Sequence, residues 1–366
     1  MASMVRLATL NRRGLLWRLG AAIGLATGSR LGSFDGLHAS RLVPSPAIYI
    51  PDTGHHIGGS VLAWWLQYGA ENGLGWPVTE LLKLDGRYVQ YFERGALAIS
   101  ASTRDPLGVV PLDLGRPYVA SRPDRDLDRL RTRSGSNRNR AFDASHFFDE
   151  TGYGVHEDLW AYFREDGGVY RFGYPLAAPI VSAGFLWQVF ERSVLMARAG
   201  EVTELPIGVL ESERMRLPTG AVDQAGYAPV VDLAALHFDQ KASGTRHVQV
   251  DLTRQVVTFF LDGEPVHVAG TSTGLYPDFT PPGRFRIFSQ IPRARLISNG
   301  STAAGYNWSD VQHIQYFTEE WIGFHYAYWH NDFGRTRSAG CVNLRLHDSQ
   351  WAWSFCKIGT PVIVHY

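Results

Sequence analysis

Hydrophobic and polar positions alternate most regularly from Arg246 to Val266. There R-H-V-Q-V-D-L and Q-V-V-T-F-F-L place apolar residues largely at every second position, the period of a strand with one buried face, and Asp262-Gly263 supplies a tight turn for a hairpin. Near the end, Trp351, Trp353, Phe355 and Cys356 mark the apolar side of a short helix, and P-V-I-V from Pro361 reads as a strand. The first half of the chain has a different period. V-L-A-W-W-L around Trp64 and Trp65, and E-D-L-W-A-Y-F around Tyr162 and Phe163, read as amphipathic helices. Each is followed by a Gly-aromatic-Pro turn and a short hairpin that ends in F-E-R.

These two stretches form an internal repeat. G-W-P-V-T-E from Gly75 matches G-Y-P-L-A-A from Gly173, and Q-Y-F-E-R-G from Gln90 matches Q-V-F-E-R-S from Gln188, both at an offset of 98 residues. One duplicated unit is therefore expected, over 41–120 and again over 146–215. Between the units, 121–145 is rich in charge and in Ser, Gly and Asn, as a solvated linker is, and its tail from Arg131 is basic enough to touch an anionic polymer. A second linker, 216–245, contains L-P-T-G-A and K-A-S-G-T and precedes the strands of 246–366.

Composition narrows the function classes. With 366 residues, 45% of them hydrophobic and 19% charged, the chain can bury more than one core, and its length suggests two or three domains. The formal net charge is zero, which argues against a nucleic-acid partner, since such surfaces need a basic excess. Residues 1–40 read as an export signal of twin-arginine type, with Arg12 and Arg13 ahead of a moderately apolar run from Leu15 to Thr27. That run is too short and too interrupted by Arg18 and glycines for a stable membrane span. Two cysteines, Cys341 and Cys356, imply no disulfide framework, and Cys356 fits a core position.

The chemistry concentrates in H-Y-A-Y-W-H-N-D-F-G-R-T-R-S-A-G-C-V-N, from His325 to Asn343. A thiol attacks as thiolate, so it needs a base or a cation beside it, and His325 and His330 are both available to Cys341. Gly340 permits a sharp turn before the cysteine, with the amides of Gly340 and Cys341 expected to face a developing oxyanion. The remaining histidines show no H-E-x-x-H or cysteine-cluster spacing, so no metal or other cofactor is expected.

This segment resembles the L,D-transpeptidase catalytic domain, the YkuD domain, whose signature is a histidine followed by Ser/Thr-His-Gly-Cys-x-Asn/Arg. His325 matches the leading histidine, and Ser338, Gly340, Cys341 and Asn343 match the second half. Upstream, G-T-S-T-G from Gly270 and T-P-P-G-R-F-R-I from Thr280 are similar to further elements of that family. The duplicated unit is similar, more loosely, to the LGFP-type repeats of wall-associated proteins. The resemblance implies a mainly β catalytic domain, a YkuD-type β-sandwich with a short helix, preceded here by an α+β repeat region. It also implies an exported bacterial wall enzyme in which Cys341 is the nucleophile and His325 the base. Its substrates would be peptidoglycan stem peptides, with Ser338, Tyr326, His330, Asn343 and Arg345 as turn or substrate contacts. Ala339 departs from the family pattern, which has His there. Two alternatives stay open on the sequence: a wall-binding or structural protein with a degenerate transpeptidase domain, and an L,D-carboxypeptidase that uses water as acceptor.

Overall fold

A computed structural model describes residues 47–121, 146–230, 239, 242–277, 279–298 and 306–366. The expected export segment, and nearly all of the charged linker, lie outside the described residues.

The first unit runs β1 (Ala47–Ile50), β2 (His55–Gly58), α1 (Gly59–Gln67), α2 (Ala70–Gly73), β3 (Leu82–Leu84), β4 (Arg87–Phe92), β5 (Gly95–Ile99), β6 (Val109–Pro111) and α3 (Gly115–Ala120). The second repeats it as β7 (Phe147–Phe148), β8 (Tyr153–Gly154), α4 (Glu157–Glu165), α5 (Gly168–Phe172), β9 (Ile180–Ser182), β10 (Phe185–Val189), β11 (Val194–Arg198), β12 (Glu201–Glu204) and α6 (Ile207–Arg214). In each unit four strands follow one another as an antiparallel meander. The duplication extends to single hydrogen bonds. Gln90 Nε2 donates to the carbonyls of His56 and Thr79, and Gln188 Nε2 donates to those of Gly154 and Ala177, the same positions one repeat later. The Glu of each F-E-R likewise accepts from the amide of the aromatic in the Gly-aromatic-Pro turn, Trp76 or Tyr174.

The units exchange their last helices. At the start of α3 the Gly115 N–H donates to the Glu191 carbonyl of unit two, and at the start of α6 the Gly208 N–H donates to the Glu93 carbonyl of unit one. A Cβ at either glycine would collide with the Phe190 or Phe92 carbonyl, so only glycine admits this approach. One apolar cluster joins the pair: Val89, Tyr91, Ala96, Ala98, Leu114 and Tyr118 from unit one with Val189, Val194, Leu205 and Ile207 from unit two.

After β13 (Ala228–Pro229), which pairs with β1, come β14 (Arg246–Asp251), β15 (Val256–Leu261), β16 (Glu264–Gly270), β17 (Gly283–Arg286), β18 (Ser289–Ile297), β19 (Asn307–Tyr316), β20 (Gly323–Tyr326), β21 (Val342–Leu344), α7 (Leu346–Phe355) and β22 (Pro361–His365). The expected hairpin through Asp262-Gly263 joins β15 to β16, and both residues have positive φ, 52° and 83°, as a type I′ turn requires. Two sheets result, ordered β16-β15-β14-β22-β17 and β18-β19-β20-β21. Their inner faces meet over Val248, Val250, Phe259, Phe324, Val342 and Leu344, closed by Ala352, Phe355 and Cys356 of α7. Cys356 is thus a core residue. This part of the molecule is mainly β, a two-sheet sandwich with one short helix, and the region before it is α+β.

The repeat pair also packs on the sandwich. Phe148, Trp160, Phe163, Phe172 and Phe190 of unit two share a cluster with Val311, Ile314, Tyr326, Tyr328 and Trp329, and Phe333 joins the core of unit one.

Candidate active site

The Ser-Ala-Gly-Cys turn is held by two stretches that lie far away in sequence. Thr273 O accepts from the amides of Arg337 and Ser338, each at 2.9 Å, and Leu275 N–H donates to Ser338 O at 2.8 Å. Gln255 braces this stretch: its Oε1 accepts from the Thr273 amide at 2.8 Å while its Nε2 donates to Leu252 O at 2.7 Å. Thr280 Oγ1 donates to Gly340 O at 2.6 Å and accepts from the Gly274 amide at 2.8 Å. Gly340 has φ of +134°, and a Cβ on it would stand 2.7 Å from Phe279 O, so the turn requires glycine.

Ser338 closes the turn on itself. Its Oγ donates to Cys341 O at 2.6 Å and accepts from the Gly340 N–H at 3.1 Å. The Gly340 amide, expected to face an oxyanion, is therefore directed to Ser338 instead, because the side chain two residues back offers the nearer acceptor. The Cys341 N–H has no partner among the described residues, and it is the amide left to meet developing charge.

His325 lies on β20 and the cysteine immediately precedes β21, its parallel neighbour, with Phe324 opposite Val342 and His325 opposite Asn343. Since Phe324 and Val342 both enter the sandwich core, alternation puts His325 and Asn343 together on the other face, with Cys341 one step beyond. His325 Nδ1 lies 2.9 Å from its neighbour Tyr326's carbonyl oxygen, which can only accept, so the proton is on Nδ1 and Nε2 carries the free lone pair. Burial pushes this imidazole down to about 4, against the Tyr326 carbonyl, which favours the charged form. The half-buried thiol is pushed up to about 11 by desolvation, against the Gly323 amide, which favours the thiolate. The sulfur also lies 3.8 Å from Trp321 O, and among the described residues no hydrogen bond joins it to His325. Thiol and imidazole are both neutral at pH 7.

The other expected residues divide into two groups. His330 is fully buried; its Nδ1 accepts from the Asp332 amide at 3.1 Å, and its Nε2 lies 2.9 Å from the Asn343 side-chain amide. Desolvation first, then Arg337 and His325, lower its pKa to about 3. It braces the loop from inside and does not occupy the place of the missing imidazole, since Ala339 is exposed. Tyr326 and Arg345 are turned away from the expected substrate contacts into the joint with the repeats. Tyr326 Oη donates to Arg164 O at 2.9 Å, and Arg345 pairs with Asp105 at 3.0 Å and donates to Tyr68 Oη at 2.6 Å. Both choose partners more than a hundred residues away, which no local pattern announces.

The structure adds an aromatic rim that the sequence reading misses. Trp321, whose carbonyl faces the thiol, exposes 59% of its surface, and its ring meets Tyr316 edge-on at 5.2 Å and Phe288 at 5.8 Å. Leu275 and Tyr276, adjoining the Ser338 contact, are also exposed. Tyr306 and Tyr316 have raised pKa values, from desolvation first and then from the charge of a Cys341 thiolate, which places both rings near the sulfur. The nearness of Tyr316 and Trp321 to His325 in sequence is the one available signal. Nothing marks Leu275, Tyr276 or Phe288.

A cysteine on a glycine turn, with a neutral imidazole on the adjacent strand, supplies the nucleophile and base that a thiol acyl transfer needs. Residues 245–364 match the family model YkuD, described as the L,D-transpeptidase catalytic domain, and this part of the chain is such a domain. Solved structures similar to the chain include an L,D-transpeptidase from Mycobacterium smegmatis, at 20% identity over 50% of this chain and 72% of that one, with a TM-score of 0.32. Another is L,D-transpeptidase 3 from Mycobacterium tuberculosis with a faropenem-derived adduct, at 19% identity, 48% and 68% coverage and a TM-score of 0.31. A mutant L,D-transpeptidase from Enterococcus faecium is 23% identical over 33% of this chain and 50% of that one, with a TM-score of 0.30. Among curated proteins none matches. Among the described residues, no helix is long and apolar enough to cross a membrane, and no three His, Cys, Asp or Glu side chains gather as a metal site.

Proposed function

We propose that the protein is a cysteine-dependent L,D-transpeptidase that cross-links peptidoglycan stem peptides. The observation that carries this reading is the family match over the residues that set Cys341 just before the strand that pairs with that of His325. Cys341 Sγ attacks the carbonyl carbon of an L-to-D peptide bond while its proton passes to His325 Nε2. The carbon–nitrogen bond then breaks, and the departing D-residue amine takes that proton, leaving a thioester. An amine from a second stem attacks the thioester, forms the new amide and returns the proton to sulfur. The Cys341 amide stabilises the oxyanion, a contribution of roughly 3 kcal/mol for one donor in comparable sites. Export to the wall, and contact of the repeats with wall polymers, belong to the same proposal.

Intact-mass measurement with a tetrapeptide donor tests it. The parent is expected to gain an acyl adduct on Cys341 and Cys341→Ala to gain none, while His325→Ala slows the reaction by orders of magnitude. Adduct without an amide product on adding an acceptor amine would favour the L,D-carboxypeptidase alternative. No adduct from a folded parent would favour the degenerate-domain alternative, in which Ala339 has cost the activity.

A further inference from the structure

The segment that carries both reactive residues, from His325 to Arg345, is bonded to the repeat pair at five of its residues. Tyr326 Oη donates to Arg164 O, the Val169 amide donates to Tyr328 O at 3.0 Å, and Arg104 Nη1 donates to Gly334 O at 3.1 Å. Arg337 pairs with Glu150 at 3.1 Å, and Arg345 with Asp105 and Tyr68. Both units contribute. At Gly168, φ is +56° and a Cβ would collide with the Tyr328 carbonyl oxygen, so the first turn of α5 is pressed directly on the loop backbone. The Arg345 guanidinium, four residues after the nucleophile, is caged by the rings of Tyr170, Phe333 and Tyr68 at 4.2, 4.9 and 5.4 Å.

The base lies on one strand and the nucleophile precedes the next, and in the loop between them the repeat pair holds the Tyr328 and Gly334 carbonyls while the 272–280 stretch holds those of Arg335, Ser338 and Gly340. Acyl transfer needs the reacting groups held to within a fraction of an ångström, and a supporting shell that slackens costs rate before it costs fold. We propose that the repeat pair is the template that sets this loop, and that Arg104, Gly168 and Arg345 are positioning residues for the reaction between Cys341 and its acyl donor. The proposal rests on the transpeptidase reading for its consequence in rate, but its structural part does not.

The test uses the full chain, with imipenem as the acylating probe and hydrogen exchange over residues 327–340 as a second readout. Arg104→Met removes the bond to Gly334 at an exposed position. It should lower the limiting acylation rate about three- to tenfold with an unchanged half-saturating concentration and melting temperature, and Arg104→Lys should restore most of it. Gly168→Ala should lower the rate more than tenfold. Gly115→Ala, which strains the joint between the units away from the loop, should lower the melting temperature but keep the rate. Exchange in 327–340 should quicken in Arg104→Met and Gly168→Ala and stay unchanged in Gly115→Ala. Parent-like rates in the first two variants, or rate losses that only follow the melting temperature through all of them, overturn the proposal. A parent inert to imipenem sinks the transpeptidase reading. Exchange then still decides the positioning claim, which falls if no variant loosens the loop.

Discussion

A thiol near 11 beside an imidazole near 4 makes a specific claim about reactivity: the pair rests as neutral groups and not as thiolate and imidazolium. Moving the proton from sulfur to nitrogen before attack is therefore uphill by at most roughly 10 kcal/mol, a ceiling because the resulting charges attract and water reaches the half-buried thiol. On the proposed mechanism, attack and proton transfer then occur together. Iodoacetamide, which offers no such assistance, reports the resting thiolate alone. Against the ordinary value of 9.0, a thiol at about 11 holds about a hundredfold less thiolate at pH 7. The more basic sulfur is about eightfold more nucleophilic, so the net rate falls about tenfold below that of an unstructured cysteine peptide. Peptide mapping after alkylation separates Cys341 from Cys356, whose burial keeps its thiol protonated and unlabelled. The log of the rate should climb with unit slope from pH 7 to 9.5 without a plateau, and His325→Ala should leave it unaltered while slowing imipenem acylation. An inflection below pH 8 would refute the reasoning, since it would reveal a thiolate already formed in the resting enzyme.

Other outcomes follow from the same geometry. Gly340→Ala forces a side chain into a φ of +134° and against Phe279 O, and should cost about 2–3 kcal/mol in urea unfolding along with the activity; parent-like values for both would remove the role given to this turn. Ala339→His places an imidazole at an exposed position, so the melting temperature should hold within about 2 °C and the acylation rate stay equal or rise. A threefold fall would show that the imidazole disturbs the turn. His325 and His330 have folded-state values of about 4 and about 3, below the ordinary 6.5, so the stability they contribute is complete above pH 6.5 and is lost as pH falls toward those values. Each accounts for about 1.4 kcal/mol per pH unit in that window, and His330→Asn should flatten the slope of urea stability against pH by that amount. An unchanged slope would mean that His330 is charged in the fold.

What the sequence discloses depends on whether a residue's partners are local. Asp262-Gly263 names its own turn, and the duplicated Gln and Glu are visible because each needs the same neighbours in both units. Ser338, Gly340 and Cys341 are legible as a turn for the same reason. Tyr326 and Arg345 look like substrate contacts beside that turn. Their fate is decided by Arg164, Asp105 and Tyr68, which reach them only after three sets of elements have folded together. The Gly340 amide shows the limit within the turn itself. Its position is readable, but whether it faces substrate or the Ser338 oxygen depends on a torsion that sequence does not carry.

The exchange of closing helices between the two units fixes the smallest piece of the N-terminal half that can satisfy itself. A single unit leaves the strands around Phe92 or Phe190 uncovered and its own last helix without a seat. Two identical copies on separate chains would meet the same need by symmetric association, each lending its helix to the other. Joining them in one polypeptide turns that encounter into an intramolecular one, at an effective concentration set by the intervening chain and independent of how dilute the protein becomes.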